Sequence, residues 1–329
     1  MGNIRNILIT GSNGFVGSRL VPYLLHAGYR VKALDLHLYG HGTLAPHVDL
    51  EEIHGDIRDT VLLKNTLQGC DAVIHLACIS NDAGFELNPE LGKSINLDAF
   101  APLVDIAKDV GIQRFIYASS SSVYGVKSEA RVTEELNLEP LTDYSLYKAR
   151  CEDVLLAKRA RGFETVILRP ATISGYSPRF RMDVVVNTLT CQALQARRIR
   201  VLGGEQLRAN LHMADMIECY RLALSLPSER VDGQVLNVGA ENYKIIDLAH
   251  RIRSQIGVDV KIDVEPSNDP RSYSLCSLAI ARRWAFVPKH TLKQAIDELQ
   301  AAYKAGAIVD PINNPSYYNI RALKGKGLA

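Results

Sequence analysis

Tyr144 and Lys148 stand four residues apart, a spacing that on a helix puts a phenol and an ammonium on one face. An unperturbed tyrosine titrates near ~10, too high for an efficient base at neutral pH, but a neighbouring positive charge favours the phenolate. Such a pair can take or return the proton of a carbinol while its hydride moves elsewhere. Upstream lies the serine run Ser119–Ser122, which offers a hydroxyl to orient the same oxygen and relay the proton. Alone, the pair would better suit a surface helix carrying an aromatic and a lysine, so the reading depends on its company.

That company is Gly11-Ser-Asn-Gly14-Phe-Val-Gly17, directly after the β-branched run Ile7–Thr10 and before a helical pattern. Gly11 permits a tight turn, Gly14 lets a pyrophosphate approach the backbone, and Gly17 lets helix and strand pack closely. Free amides at the helix start then face the anion. Asp35 ends the second strand pattern, 18 residues past Gly17. A carboxylate there accepts ribose hydroxyls and repels a 2′-phosphate, so NAD is the expected cofactor. Asp56, after the third strand, is placed either to touch the adenine edge or to cap a turn or helix.

As a set, the glycine loop, HLAC at 75–78, SSSSVYG at 119–125, the Tyr144/Lys148 pair, Arg169-Pro170 and GGEQLRANLHMAD at 203–215 resemble the extended short-chain dehydrogenase/reductases. The branch most similar is that of the nucleotide-sugar epimerases, dehydratases and dehydrogenases, over residues 4 to about 300. The resemblance implies a catalytic trio of Ser120, Tyr144 and Lys148, with Ser120 selected by counting back four from Tyr124. It implies NAD contacts from Gly11, Asn13, Gly14, Phe15, Val16, Gly17, Asp35, Asp56, Ile57, Leu76, Ala77, Asn96, Ala118, Tyr144, Lys148 and Pro170. Ser120, Ser121, Ser122, Asn187, Arg208 and Arg271 are the implied contacts to a nucleotide-diphosphate sugar, the two arginines clamping the diphosphate.

Related dehydratases carry an acid just after the catalytic Ser/Thr, and enzymes that epimerise C3 and C5 carry a cysteine where Ser122 stands; here the residues are Ser121 and Ser122. Plain hydride chemistry at C4 remains. An NAD-dependent nucleotide-sugar epimerase is the leading expectation, with a 4-dehydrogenase or 4-ketoreductase of a deoxy- or heptose sugar as alternative. A 4,6-dehydratase and a non-catalytic NAD-binding regulator or scaffold stand behind these.

These residues must be carried by a scaffold. Strand patterns at Ile7–Thr10, Arg30–Leu34, Leu50–His54, Ala72–His75, Arg114–Ala118 and Thr165–Leu168 alternate with helical ones near 58–68, 88–110 and 144–162. That rhythm predicts an α/β fold, a Rossmann-type doubly wound parallel sheet. After Pro170 the rhythm breaks, with a loop at Ser174–Asp183 and a helix at Val184–Ala196, so a smaller C-terminal substrate-binding α/β lobe is expected. The expected division is 1–170 for NAD, 171–308 for substrate, with Gln234–Val238 a candidate to rejoin the first sheet, and 309–329 as a loose or surface-wrapping tail.

A formal charge of +2 on 329 residues gives no bulk attraction to nucleic acid or anionic membrane. No apolar stretch approaches the ~18–20 residues of a membrane span, and the start lacks a signal peptide's apolar core. Six cysteines without a CxxC pair read as thiols in a reducing cytoplasm. His37, His41 and His47 lack the spacing of a zinc site, so no metal is expected. A homodimer through the helices near 95–110 and 145–160 is expected by fold analogy.

Overall fold

The computed structural model describes residues 4–40, 42–80, 85, 87–267, 272–325 and 327. Twelve strands are found among them: β1 Asn6–Thr10, β2 Arg30–Asp35, β3 Leu50–His54, β4 Ala72–His75, β5 Arg114–Ala118, β6 Glu164–Pro170, β7 Thr172–Ser174, β8 Arg198–Leu202, β9 Leu207–His212, β10 Gln234–Val238, β11 Glu241–Lys244 and β12 Lys261–Glu265. The longer helices are α1 Gly17–His26, α2 Thr60–Leu67, α3 Phe100–Asp109, α4 Asp143–Ala157, α5 Val185–Ala196, α6 Met213–Ser225, α7 Ile245–Ile256 and α8 Leu292–Lys304.

Seven strands form one sheet in the order β10-β6-β5-β4-β1-β2-β3, and every pairing is parallel. The strand residues explain it. Successive side chains of a strand point to opposite faces, and in the central strands both faces are apolar and covered. Ile7 and Ile9 enter one core while Leu8 enters the other. Ile116 opposes Phe115 and Tyr117 in the same way, as Val166 and Leu168 oppose Ile167. Each such side chain contributes roughly 1.5–3 kcal/mol on full burial, so a one-residue slip of register is strongly disfavoured.

The chain order reverses between β1 and β4, which leaves a crevice beyond their carboxyl ends. Register lines up the strand ends there: Thr10 faces His75 and Leu34, and Ala118 faces Leu168. Beyond this edge lie a three-stranded sheet, β11-β9-β7, and a parallel pair, β12-β8. A third core, with Phe180, Val186, Leu189, Ile199, Val201, Leu248 and Ile296, joins α5, α7 and α8 to these strands. Gln234–Val238 pairs with β6 in the large sheet although it follows β7–β9 in sequence.

Three departures from the sequence expectation matter. The helical stretch before α3 is interrupted by a π turn, Ser94–Asp98. Helix α4 stops at Ala157, after which Ala160 bridges to Phe163 across Gly162, whose φ of 87° favours glycine. The tail is neither loose nor merely superficial: Asn319 and Leu323 are each 2% exposed. Leu323 joins the core shared with Leu8 and Phe115, and the burial of that one side chain is what the pattern of Pro311, Pro315 and asparagines concealed.

Candidate active site

The crevice is a cleft of about 640 Å³ that runs from the glycine loop to β8 and β9. Gly11 (φ 73°) would place a Cβ 2.7 Å from the Ala77 nitrogen, and one on Gly17 would lie 2.4 Å from the Gly11 carbonyl oxygen. Both are demanded by the protein's own packing. Gly14 is different: a Cβ there would meet within 4 Å only the Gly11 carbonyl oxygen, at 3.1 Å. With Phe15, Val16, Gly11 and Gly17 it lines the cleft.

Asp35 also lines the cleft, and its two carboxylate oxygens accept the backbone N–H of Asn13 at 2.9 Å and of His37 at 2.6 Å. The carboxylate is thus fixed in direction with lone pairs to spare. Asn13 itself does not line the cleft: its Oδ1 accepts from Thr43 Oγ1 at 2.5 Å. Its contribution is to hold the loop after β2 and, through its N–H, to aim Asp35.

Asp56, Ile57, Leu76, Ala77, Ala118 and Pro170 all line the cleft. Asp56 is held by Arg58 through Nε and the backbone N–H. Burial pushes its carboxyl up, but these hydrogen bonds outweigh it and the net shift is downward. The cap of α2 is Asp59, not Asp56. Asn96 corrects the expectation of a cofactor contact. Its amide clamps the backbone of Ile79, accepting at 2.9 Å and donating at 3.0 Å, and the π turn lets its carbonyl accept from Cys151 Sγ at 3.2 Å. It supports the loop that carries Ser80 and is absent from the cleft lining.

Tyr144, Lys148 and the serine run converge on the cleft. A capping box of Thr142 and Ser145 starts α4 and thereby places Tyr144 in its first turn. Tyr144 and Lys148 line the cleft with Ser119, Ser120, Ser121 and Ser122. Lys148 is 4% exposed; its Nζ donates to the Ala118 carbonyl at 2.6 Å and lies 5.9 Å from the Tyr144 ring centre. Ser120 Oγ accepts from Ser122 N at 3.1 Å and from Ser122 Oγ at 2.8 Å, which leaves its own O–H to be donated. Ser121 Oγ meets Tyr273 OH at 3.0 Å.

On the far side, Arg208 lines the cleft. Asn187 does not, which corrects its expected substrate contact. It is fully buried, accepts from Gly175 N at 3.1 Å and donates to the carbonyls of Gly175 and Arg181. Its amide is consumed in shaping the 175–183 loop. Arg271 lies outside the described residues. Residues that sequence reasoning did not select also line the cleft, among them Tyr39, Ser80, Arg179, Arg181, Arg200, Tyr273 and Asn319. The two arginines of SPRFRMD carry a signal in their charge. Asn319 and Tyr39 had none.

His75 is buried among Phe100, Phe115 and Tyr117, with Nδ1 2.7 Å from Thr10 Oγ1. Burial, and then the charge of Lys148, pull its pKa down to about 3, so it stays neutral and structural. His37 adopts a left-handed conformation (φ 53°) and His41 lies outside the described residues. Among the described residues no group of three or more His, Cys, Asp or Glu is gathered for a metal, and no helix is long and apolar enough to cross a membrane.

Comparison with known proteins agrees with this architecture. The sequence pattern of the NAD dependent epimerase/dehydratase family matches residues 7–239. An uncharacterised UDP-glucose epimerase of Bacillus subtilis (strain 168) is 31% identical over 284 residues, covering 80% of this chain and 87% of that protein. A dTDP-glucose 4,6-dehydratase of Streptomyces niveus is 28% identical, with coverage of 94% and 96%. Among solved structures, the UDP-glucuronic acid 4-epimerase of Bacillus cereus, in complex with UDP-glucuronic acid and NAD, superposes with a TM-score of 0.82. It is 27% identical and is covered to 99%, against 91% of this chain. The chain belongs to the NAD dependent epimerase/dehydratase family and is an NAD-dependent enzyme of the extended short-chain dehydrogenase/reductase type.

Proposed function

We propose that this member of the NAD dependent epimerase/dehydratase family inverts C4 of a nucleotide-diphosphate sugar, with Ser120, Tyr144 and Lys148 as its catalytic residues. One observation carries the reading. The Ser/Tyr/Lys set shares a single cleft with Gly14 and Asp35 on one side and Arg208 on the other, while serines occupy positions 121 and 122. Elimination of water needs a base and an acid beside the catalytic serine, and positions 121 and 122 hold serines in place of carboxylates.

The residues fit the cofactor. Gly14 keeps backbone open to the cleft where a pyrophosphate would approach, and Asp35 presents a fixed acceptor for ribose hydroxyls. Phe15, Val16, Ile57, Leu76, Ala77, Ala118 and Pro170 complete the cradle. When bound, NAD supplies the acceptor and the later donor of the hydride. Everything else falls to the chain. Lys148 spends one donor on the Ala118 carbonyl and keeps two, one charge-biasing Tyr144 toward phenolate and one for the nicotinamide ribose. Tyr144 takes the proton from the C4 hydroxyl, and Ser120 donates a hydrogen bond to that same oxygen. Arg208 holds the sugar nucleotide's diphosphate. Inversion then requires that the oxidised sugar turn its other face before the proton returns from Tyr144. On this reading residues 1–170 carry NAD, 171–308 carry most of the sugar-nucleotide contacts, and 309–329 close the rim. A homodimer through α3 and α4 belongs to the same reading and is checked by sedimentation.

The relatives that act on UDP-sugars support UDP as the nucleotide to try first. The test is to denature the purified protein, identify the nucleotide released, and assay C4 inversion on UDP-, GDP-, CDP- and dTDP-sugars without added cofactor. Retained NAD with inversion is expected. NADH accumulating with an oxidised sugar would replace the epimerase by a 4-dehydrogenase. Tyr144→Phe is expected to lower turnover by ~10²–10⁴-fold with NAD content unchanged; full activity in that variant would remove Tyr144 from the chemistry.

A further inference from the structure

Arg179 is 5% exposed and lines the cleft, yet it forms no ion pair among the described residues. One terminal nitrogen donates to Asn319 Oδ1 at 2.5 Å and the other to the Phe180 carbonyl at 3.3 Å. Its Nε has no partner, and neither has the buried hydroxyl of Tyr39, over whose ring the guanidinium sits at 4.3 Å. Leaving buried donors unmet is costly, and the cost marks a place where something outside the chain completes the set. Burial, then the charge of Arg181, pull Arg179 down to about 10, and burial lifts the Tyr39 phenol to about 12. Both therefore remain protonated at neutral pH. Both residues line the cleft, and each holds a buried donor that lacks an acceptor.

Their position names the acceptor. Ser177 Oγ donates to the Phe15 carbonyl at 2.7 Å and meets Ser18 Oγ at 2.7 Å, while Arg179 N donates to Ser18 Oγ at 3.3 Å. The arginine is thus docked on the first turn of α1, and Tyr39 follows Asp35 by four residues. The glycine loop, Gly11–Gly17, contains no cation. The neighbouring Arg58 and Arg181 are taken by Asp56 and Asp183. A dinucleotide laid along this loop brings two phosphate charges, and of these three arginines Arg179 is the one without a carboxylate partner among the described residues.

We infer that Arg179 and Tyr39 form a subsite for the pyrophosphate of the dinucleotide cofactor, with Asn319 holding the guanidinium at the rim. The tail is therefore part of the cofactor site: Asn319 Nδ2 donates to Ser80 Oγ at 2.9 Å, so the 175–183 loop, the tail and the loop after β4 are tied across the cleft. The inference rests on NAD lying on the glycine loop, as proposed above.

The experiment titrates ADP, adenosine and UDP into the full-length, nucleotide-free protein by calorimetry. In Arg179→Met, ADP is expected to bind roughly 10- to 100-fold more weakly, as for loss of a charged hydrogen bond. Adenosine and UDP should stay within about twofold. Tyr39→Phe, which removes one hydroxyl and keeps the ring, should weaken ADP by roughly 3- to 10-fold with the same selectivity, and it serves if the arginine variant does not fold. Equal losses for ADP and adenosine, no loss for either, or a loss confined to UDP would each overturn the assignment. Sugar inversion is not measured here, so failure of the C4 reading leaves this test intact. A wild-type protein that binds no ADP would sink the subsite.

Discussion

Arg169 and Arg179 are both 5% exposed, and they live in opposite circumstances. Arg169, behind the serine run, is bidentate to Glu152 at 2.5–3.1 Å, and its third nitrogen donates to Tyr124 OH at 2.8 Å. Tyr124 OH donates to Asn237 Oδ1 at 2.8 Å, and Asn237 donates to the carbonyls of Val132 and Cys276. Ser119 Oγ closes the set on Glu152. Burial pulls the Arg169 guanidinium down, but Glu152 and Tyr124 more than reverse this. Above the glycine loop, Arg179, Tyr39 and Asn13 each keep a buried polar atom with no partner. The lesson is a division of labour. A buried polar network that satisfies itself fixes the backbone of the serine turn, whereas the incomplete one is the set we propose a ligand completes.

Four perturbations would break or sharpen that contrast. The largest is acid. His75, neutral in the fold with its pKa near 3 against an ordinary 6.5, is protonated below ~6.5 only in the unfolded chain. Stability is therefore intact above pH ~6.5 and falls as pH drops toward 3, by up to roughly 5 kcal/mol. Urea melts across that range check it, and His75→Gln should flatten the slope. Next, Glu152→Gln leaves Arg169 buried without its countercharge and should cost about 3–5 kcal/mol, read as a lower denaturation midpoint; an unchanged midpoint would deny the network its structural role. Third, Asp35→Asn should lower the preference for NAD over NADP by about tenfold, read as the ratio of two dissociation constants, with little change in melting. Smallest, Arg179→Met in the ligand-free protein should leave stability within ~1 kcal/mol or raise it, because an unpaired buried cation is removed. A loss as large as that of Glu152→Gln would erase the distinction between the two arginines.

Much of the large sheet was legible because its central strands are buried on both faces. Ile7–Ile9 and Ala72–Ile74 must then be apolar without interruption, and such runs stand out in a sequence. The glycine loop was equally plain, since Gly11 and Gly17 answer to contacts within seven residues or to the adjacent strand end. The implied roles of Asn96 and Asn187 failed for a common reason. A buried asparagine can meet a ligand or a backbone segment, and only the fold reveals that Ile79, Gly175 and Arg181 already occupy both ends of these amides. The looseness expected of the tail is absent because its polar, proline-containing composition describes its surface and not its buried side chains, Asn319 and Leu323 among them.

By itself the sequence determined the chemistry: a phenol and an ammonium one helical turn apart, a serine run before them, and glycines spaced for a strand–turn–helix. These are relations between near neighbours, set by the periodicity of helix and strand. Tertiary structure alone decided that a residue 140 positions from Arg179 would hold its guanidinium, and that Tyr39 would lie beneath it. Contacts between residues that far apart arise from how layers pack, and no local spacing encodes them.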